Sequence, residues 1–232
     1  MVVFFDIDGT LLDTGGAGGA ALEHAFAEAY DIPVDKVPTI ELAGAVDSGL
    51  FADLQQRLDA TSKRDPHIEE ITQLYLGKLR ANLTSDAFSP SLYPGARGLV
   101  DHCVAHPGIT TTLITGNLRE GARVKLEHFG LWSSFHLEAG GFGEDATVRD
   151  DVARAGIQRA LSSGLATGEP RDWWLIGDTP RDIQCARAAG VRVAAVATGG
   201  ATRQALADAQ PDVLLDDLSD LPRILDALGI AI

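Results

Sequence analysis

The 232-residue sequence is poor in cysteine and in positive charge, and it lacks long hydrophobic runs. Its two cysteines, Cys103 and Cys185, are too few for a disulfide framework, and neither has the spacing of a metal site. The 19 Lys and Arg residues against 33 Asp and Glu residues give a net charge of −14. This acidity argues against a broad surface for nucleic acid or anionic membrane, since both need clustered positive charge.

Two further features are missing from the first residues of the sequence. No basic segment precedes the first apolar run, and no apolar stretch is longer than five residues. A signal peptide or a transmembrane helix needs a longer apolar stretch than this. We therefore expect a soluble, cytoplasmic protein with no nucleic-acid or membrane partner, which is either a monomer or a homodimer.

Short apolar runs alternate along the chain with segments of helical periodicity. Runs of this kind, rich in β-branched and aromatic residues, predict buried parallel strands. The predicted strands are Val2–Phe5, 110–114, 135–137, 173–176, 191–196 and Val213–Leu215, and the helices between them are 118–129, 148–161 and Pro180–Ala189. The alternation is typical of an α/β fold, here a Rossmann-like three-layer core with a parallel sheet.

The stretch 14–92 breaks this alternation, because only helices are predicted in it. These helices cover 20–30, 48–60 and 66–82. An ordinary crossover between parallel strands needs only a dozen or more residues, so we interpret the excess as an inserted α-helical domain. We predict a core built from 1–13 and 93–232, with a helical cap domain at 14–92. Hinges are expected in the glycine-rich segment 15–19 and in 89–95.

Polar residues and glycines follow three of the predicted strands, where ligands of an open α/β sheet bind. They are Asp6, Asp8, Gly9 and Thr10 after the first strand, Thr115, Gly116 and Asn117 after the 110–114 strand, and Asp178, Thr179 and Asp182 after the 173–176 strand. Several carboxylates in one crevice would repel one another and raise each other's pKa, which a divalent cation relieves. Because oxygen ligands alone favour Mg²⁺ over zinc, the sequence predicts a magnesium site at this edge of the sheet.

The same residues suit a phosphate ligand, which Mg²⁺ commonly accompanies. Asp6 and Asp8 are alternate residues, so one carboxyl group can be ionised while the other holds a proton. Gly9 allows the turn that lets the backbone approach a phosphate. The hydroxyls of Thr10 and Thr115 can donate hydrogen bonds to its oxygens.

Three segments resemble the motifs of the haloacid dehalogenase superfamily, the phosphohydrolases that form a phosphoaspartate. DIDGTL at 6–11 resembles its DxDGT[LV] motif, Thr115 after an apolar strand resembles its second motif, and GDTPRD at 177–182 resembles its acidic fourth motif. They occur in the family's order and are spread over the chain. The resemblance implies that Asp6 is the nucleophile, and that Asp8 protonates the leaving oxygen and then activates water.

The resemblance also implies which residues bind the metal and the phosphoryl group. The metal would be held by Asp6, the backbone carbonyl of Asp8 and Asp178, with Asp182 in support. The phosphoryl group would be bound by Gly9, Thr10, Thr115, Gly116, Asn117 and Arg149.

The family's third motif is usually a Lys that precedes the fourth, and this chain has no Lys after Lys125. The candidate in its place is Arg149, at a predicted helix start, with Arg154 in reserve. An Arg would bridge Asp6 and the phosphate bidentately and would stay charged at any working pH. The alternative is that Arg149 lies on the surface of an acidic helix.

The resemblance bears on the substrate as well. Members that displace halide or cleave phosphonates lack the second Asp, so Asp8 indicates a phosphate ester. The predicted insertion is placed like the helical cap of phosphoglycolate-phosphatase-like and sugar-phosphomutase-like members. Its expected specificity segment is 44–49, where relatives often carry an Arg at the position of Ala45. Asp47 either belongs to this segment or only N-caps the helix that follows.

The leading hypothesis is a Mg²⁺-dependent phosphatase that hydrolyses a small phosphorylated metabolite, such as phosphoglycolate, through an aspartyl-phosphate. A phosphomutase of the same superfamily shares every catalytic residue and is an alternative. A signalling receiver, which accepts phosphate without catalysis, also clusters acids, a Thr and a basic residue at strand ends. Transfer of the phosphoryl group to water, to a second hydroxyl or to neither distinguishes the three.

Overall fold

The structure, a computed structural model, describes residues 1–60, 62 and 64–230. The last two residues of the predicted core and two positions of the predicted cap lie outside the described residues. The described strands are β1 (Val2–Phe5), β2 (Leu12–Asp13), β3 (Ser91–Leu92), β4 (Thr110–Leu113), β5 (Trp174–Gly177), β6 (Arg192–Val196) and β7 (Val213–Leu215). The described helices are α1 (Ala17–Tyr30), α2 (Asp47–Asp59), α3 (Ile68–Leu83), α4 (Ala96–Ala105), α5 (Arg119–His128), α6 (Arg149–Ser162), α7 (Pro180–Ala189), α8 (Arg203–Asp208) and α9 (Leu221–Leu228). No helix among them is long and apolar enough to cross a membrane.

Five strands form one parallel sheet in the order β4-β1-β5-β6-β7. Val3 of β1 lies opposite Thr111 of β4 on one side and opposite Trp174 of β5 on the other, so β1 is an interior strand. Helices cover both faces of the sheet, which is why most of these strands are apolar without alternation. The predicted α/β core with a parallel sheet is confirmed.

The residues of β1 alternate between two apolar cores, one on each face of the sheet. Val3 and Phe5 pack with α4, α5 and α9. Val2 and Phe4 pack with α6, α7 and α8. All four side chains are fully buried. The strand is therefore fixed on both faces, and the loop that follows it starts from a rigid position.

Helices α1, α2 and α3 form an insertion with an apolar core of its own. Phe51 of α2 joins the three helices, because its ring contacts Phe26 of α1 and Tyr75 of α3 edge-to-face at centroid distances of 5.6 and 5.5 Å. Each such pair adds about 0.5–1.5 kcal/mol to the energy of burial. The predicted helical insertion is thus present, while its exact boundaries and its role as a cap stay predictions.

A two-stranded antiparallel ribbon, β2 paired with β3, joins the two connections between the core and the insertion. The pairs are Leu12 with Leu92 and Asp13 with Ser91. No strand is predicted in the insertion from the sequence, so β3 is a correction, and its reason is that two residues are too few for a periodic pattern. Next to the ribbon, Gly15 has a φ of 61°, and a Cβ there would lie 2.8 Å from the backbone nitrogen of Ser89. A glycine is needed for the two connections to pass this closely.

One predicted strand, at 135–137, is wrong. The chain forms two 3₁₀ turns there, Trp132–Ser134 and Leu137–Ala139. Phe135, between the turns, packs edge-to-face against Phe5 at 6.0 Å. The backbone amide of His136 donates to the carbonyl of Thr111 in β4 at 2.9 Å. The apolar residues therefore cover the sheet and do not extend it.

Candidate active site

The carboxyl ends of β4, β1 and β5 meet at one edge of the sheet, because these three strands are parallel neighbours. A cavity of about 410 Å³ lies there, lined by both the core and the insertion. The residues singled out from the sequence that line it are Asp6, Asp8, Gly9, Ala45, Asp47, Gly116, Asn117, Arg149 and Asp178. Thr10, Thr115 and Asp182 are fully buried and hydrogen-bonded to residues that line it.

The loop after β1 carries Asp6 and Asp8 and turns sharply at Gly9. Gly9 has a φ of 83°, in the left-handed region, and a Cβ on it would lie 2.2 Å from Oδ2 of Asp178. Only glycine therefore lets the loops after β1 and β5 approach this closely. The Thr10 hydroxyl donates to Oδ1 of Asp178 at 3.2 Å and does not stand free for a phosphate. Gly9 and Thr10 thus fix the position of the Asp178 carboxylate.

Three buried carboxylates, those of Asp6, Asp178 and Asp182, form an acidic centre. One oxygen of each lies within 4.8 Å of the other two. Burial raises the pKa of Asp6 to about 6, although Arg149 opposes the shift. Burial, with the charges of Asp182 and Asp6, raises the pKa of Asp178 to about 8. Keeping these buried carboxyl groups ionised without a counter-charge costs free energy, which a bound cation would lower. Because the ligands are all oxygen atoms, the site fits a hard divalent cation.

Asp182 is engaged by hydrogen-bond donors on both of its oxygens. Oδ2 accepts from the backbone amide and the hydroxyl of Thr179, at 2.9 and 2.6 Å, in a capping box at the start of α7. Oδ1 accepts a hydrogen bond from Arg149. Asp182 therefore orients Arg149 and the loop after β5, while Asp6 and Asp178 line the cavity.

Arg149 is the first residue of α6, and only 6 % of its surface is exposed. Its Nη2 lies 3.0 Å from Oδ1 of Asp6 and also contacts Asp182. Burial opposes its charge, but Asp182 and Asp6 hold its pKa well above the ordinary value of an arginine. Arg154, the reserve candidate, is exposed and pairs with Asp151 at 2.6 Å. Arg149 is thus the arginine that reaches Asp6, and it is not a surface residue.

The loop after β4 is held by hydrogen bonds among its own groups. Asn117 donates from its backbone amide and from Nδ2 to Oγ1 of Thr115, at 3.2 and 2.8 Å. Since the Thr115 oxygen accepts both bonds, its hydroxyl hydrogen can still be donated to a phosphoryl oxygen. Nδ2 of Asn117 also donates to Oδ2 of Asp8 at 2.7 Å, which connects this loop to the loop after β1.

Lys125, on the second turn of α5, is a site residue that the motifs do not identify. Its Nζ lies 2.8 and 2.7 Å from the two carboxylate oxygens of Asp8 and 2.6 Å from Oδ1 of Asn117. The Lys125 side chain is 6 % exposed, whereas that of Asp8 is 43 % exposed and lines the cavity. A sequence signal was present, because Lys125 falls on the same buried helix face as Gly121 and Ala122.

Asp47 and Ala45 hold the insertion against the loop after β4. The backbone amide of Asp47 donates to the carbonyl of Gly116 at 2.7 Å, and its Oδ2 accepts from the amide of Leu118 at 2.9 Å. A Cβ on Gly116 would lie 1.8 Å from the carbonyl oxygen of Ala45. The alternative that Asp47 N-caps its own helix is wrong, since the N-cap of α2 is Val46, and the Asp47 carboxylate accepts a core amide instead.

Known proteins share both the sequence pattern and the fold. Residues 3–196 match the sequence profile of the haloacid dehalogenase-like hydrolases. Phosphoglycolate phosphatase of Rhodospirillum rubrum is 29 % identical over 220 residues, which cover 94 % of this chain and 88 % of that protein.

The fold of this chain is also similar to that of solved structures over nearly the whole length of the chain. A crystal structure of a predicted phosphoglycolate phosphatase from Haemophilus somnus has a TM-score of 0.67 at 19 % identity, and the match covers 96 % of each chain. A Bacteroides vulgatus protein named for β-phosphoglucomutase has a TM-score of 0.63 at 17 % identity, covering 98 % of this chain and 88 % of that one. At such identities the likeness shows the fold alone. The profile match over most of the sequence shows that the chain belongs to the haloacid dehalogenase-like hydrolase family.

Proposed function

We propose that this protein is a Mg²⁺-dependent phosphatase that cleaves a small phosphate monoester through a phosphorylated Asp6. The supporting observation is the buried group around Asp6, with Arg149 at 3.0 Å and oxygens of Asp178 and Asp182 within 4.8 Å. Asp8 follows two residues later and lines the same cavity. Phosphoryl transfer through an aspartate needs such a carboxylate nucleophile, a positive clamp and a second carboxyl group that moves protons.

In the first step, a carboxylate oxygen of Asp6 attacks phosphorus, and the bond between phosphorus and the alcohol oxygen breaks. Arg149 holds Asp6 in place and offers its other N–H donors to the phosphoryl oxygens, where negative charge develops. Asp8 gives its proton to the departing alcohol oxygen. Its side chain lines the cavity, and Lys125 and Asn117 fix its direction.

In the second step, Asp8 takes a proton from a water molecule, and the water oxygen attacks phosphorus. The bond between phosphorus and the Asp6 oxygen breaks, so phosphate leaves and the Asp6 carboxylate is restored. The proton that Asp8 lost in the first step returns to it in the second. One ester and one water are therefore consumed in each cycle.

The residues that would hold Mg²⁺ are Asp6, the backbone carbonyl of Asp8 and Asp178, with Asp182 in support. The chemistry supplied by the bound ion is neutralisation of the carboxylates and of the phosphoryl oxygens. The phosphoryl oxygens would lie against the loops that carry Gly9, Thr10, Thr115, Gly116 and Asn117.

The insertion is hydrogen-bonded to the core beside the cavity. Arg181 of α7 donates to the carbonyl of Ala43 at 3.1 Å, and the Ser48 hydroxyl donates to the carbonyl of Ala146 at 2.9 Å. With the two bonds of Asp47, these contacts join the segment 43–48 of the insertion to two loops of the core and to α7. In the proposed function the insertion acts as a cap that limits water at the aspartyl-phosphate and contacts the leaving group.

Phosphate release from an aryl phosphate and from a panel of metabolites, measured with Mg²⁺ and with EDTA, tests the proposal. We expect metal-dependent turnover that Asp6→Asn lowers by about a thousandfold or more, because an amide is a poor nucleophile. Asp101→Asn, at an exposed position of α4, is the matched control and should keep full activity. Full activity of folded Asp6→Asn would contradict the proposal.

The two alternatives are outcomes of the same assay. A phosphomutase would move the phosphoryl group to a second hydroxyl of a sugar phosphate and release little phosphate. A receiver would keep the phosphoryl group on Asp6 without turnover. Because relatives are named for phosphoglycolate, that ester is the reference substrate of the panel.

A further inference from the structure

The insertion forms one side of the cavity, and the larger side chains that it places there are apolar or carry a hydroxyl group. They are Leu22, Leu42, Leu50, Phe51 and Tyr75. Among the described lining residues of the insertion, the only charged group is the carboxylate of Asp47. The core holds the phosphoryl group in the proposed function, so the leaving group of the substrate faces these apolar walls and this negative charge.

Both cations among the described lining residues are already paired with carboxylates. Lys125 has three N–H donors, and the two oxygens of Asp8 and Oδ1 of Asn117 use all three. Arg149 is bound to two aspartates on the phosphoryl side of the cavity. Neither cation is placed to receive a second anionic group of the substrate.

Five carboxyl groups line the cavity against these two cations, so the lining stays negative even while Asp8 holds the proton that it donates and the bound metal keeps Asp6 and Asp178 ionised. They belong to Asp6, Asp8, Asp13, Asp47 and Asp178. The two positive charges of a divalent cation and the two negative charges of a phosphate ester would cancel. Their binding therefore leaves the net negative charge of the lining residues unchanged. Because the effective dielectric constant is low at partly buried positions, like charges repel strongly there. A further negative group on the substrate is therefore unfavourable.

We propose that the substrate is a phosphate monoester of an alcohol that carries no carboxylate and no second phosphate group. This inference rests on the proposed phosphatase function and adds the chemical class of the leaving group. Tyr75 and Tyr93 line the cavity and offer hydroxyl groups to a neutral polar group, while the leucines and Phe51 face its carbon atoms. The preference distinguishes this chain from relatives named for phosphoglycolate, whose leaving group carries a carboxylate.

Three esters of similar size test the inference: phosphoglycolate, its uncharged amide and ethanolamine phosphate. With the wild-type protein, Mg²⁺ and neutral pH, we expect kcat/KM for the amide to exceed that for phosphoglycolate by about tenfold or more, mainly through KM. Ethanolamine phosphate, whose leaving group is positive, should also exceed phosphoglycolate. Equal values, or a preference for phosphoglycolate, would overturn the inference.

An aryl phosphate separates this result from a failure of the proposed function. Asp6-dependent turnover of the aryl phosphate, combined with a preference for phosphoglycolate, overturns the inference and leaves the phosphatase function standing. Absence of turnover with every ester, including the aryl phosphate, contradicts the phosphatase function and with it the inference.

Ala45 is the position at which the preference can be reversed, because it lines the cavity and packs against Gly116. Ala45→Arg adds positive charge on the leaving-group side. It should raise the ratio of kcat/KM for phosphoglycolate to that for the amide by about tenfold. Ala45→Met adds similar length without charge and should leave this ratio within about twofold. An unchanged ratio in Ala45→Arg, with turnover of the aryl phosphate intact, would overturn the inference.

Discussion

Lys125 and Asp8 make the contact on which the proposed proton transfers most depend. A buried ammonium group that uses all of its donors fixes the carboxyl group in one direction, and Asn117 holds the same group from a second side. General acid catalysis contributes about 10²–10⁴-fold, and only when the acid is within hydrogen-bond reach of the leaving oxygen. In the proposed reaction, Lys125 is therefore a positioning residue.

Lys125→Met should lower the single-turnover rate with an alkyl phosphate by about 10²-fold, because the alkoxide cannot leave without a proton. With an aryl phosphate, whose leaving group departs without protonation, the loss in the phosphoryl-transfer step should be about tenfold or less. Lys78→Met, which removes a partly exposed lysine paired with Glu28, is the control and should change neither rate. Equal losses with the two esters would show that Lys125 serves the fold and not the proton transfer.

The carboxyl group of Asp47 gives the stability of the fold a pH dependence. Burial raises its pKa to about 6, with Lys125 opposing the shift, against roughly 3.9 in an unfolded chain. The folded state thus binds this proton more tightly than the unfolded state does. The contribution of Asp47 to the free energy of unfolding is therefore full below about pH 4 and is lost as the pH rises to about 6.

Asp47→Asn removes this dependence, and an amide oxygen can still accept the bond from Leu118. The variant should be more stable than the wild type above about pH 6, by roughly 3 kcal/mol, and the difference should vanish below about pH 4. Urea denaturation of both proteins across this range measures the difference. A difference that is the same at every pH would mean that the Asp47 carboxyl group titrates alike in the folded and unfolded states.

For single residues, the sequence predicts the aspartates of the site better than it predicts the side chains that contact them. Asp6, Asp8 and Asp178 each follow a strand, and parallel packing brings strand ends together whatever the details. Lys125 is 117 residues from Asp8 along the chain, and their contact depends on how α5 is rotated about its axis. The helical periodicity of α5 indicates that Lys125 faces the protein interior, but it does not indicate which carboxylate Lys125 contacts.

At the scale of secondary-structure elements, the insertion contacts the loop after β4 so closely at Gly116 that no side chain fits there. Because a Cβ on Gly116 would lie 1.8 Å from the carbonyl oxygen of Ala45, Gly116→Ala must move the segment of the insertion around Ala45 away from the core. We expect kcat/KM to fall by about tenfold or more for every ester, and the free energy of unfolding to fall by roughly 1–3 kcal/mol.

The matched control is Gly77→Ala in α3, where a Cβ would meet open space. It should raise the free energy of unfolding by about 0.5–1 kcal/mol and leave activity unchanged, since alanine suits a helix better than glycine. Steady-state kinetics and urea denaturation of the two variants measure these effects. A fully active and stable Gly116→Ala protein would show that the contact is not needed.

Long elements are predicted from the sequence more accurately than short ones. The helix expected at 118–129 is α5, and the helix expected at Pro180–Ala189 has these bounds in the structure. The strand expected at 135–137 fails because two apolar residues around His136 fit a packed turn as well as a strand, and Phe135 packs against Phe5 of β1. The ribbon of β2 and β3 is too short for any periodicity, so only the tertiary structure sets its pairing.

For the whole molecule, the acidic centre should make stability depend on the cation. A ligand that binds only the folded state stabilises it by mass action, and here it also relieves repulsion among three buried carboxylates. Mg²⁺ at about 100 times its dissociation constant should raise the free energy of unfolding by about 2.7 kcal/mol. EDTA should reverse the gain, and Asp178→Asn should remove most of it. Thermal midpoints of wild type that do not respond to Mg²⁺ would contradict the predicted metal site.

The ribbon of β2 and β3 is a place where the insertion can be removed from the core by one deletion. The insertion leaves and re-enters the core side by side, because Asp13 and Ser91 are paired neighbours. A two-residue turn joining them would close the ribbon as a hairpin and displace no strand of the sheet. The shortened chain would keep both apolar faces and all three acids of the centre, now open to phosphate groups on folded proteins or other bulky polymers. If the proposed function holds, a single deletion between Asp13 and Ser91 converts a phosphatase for small metabolites into one for macromolecules, and an exchange of the insertion there is a direct evolutionary route to a new substrate range.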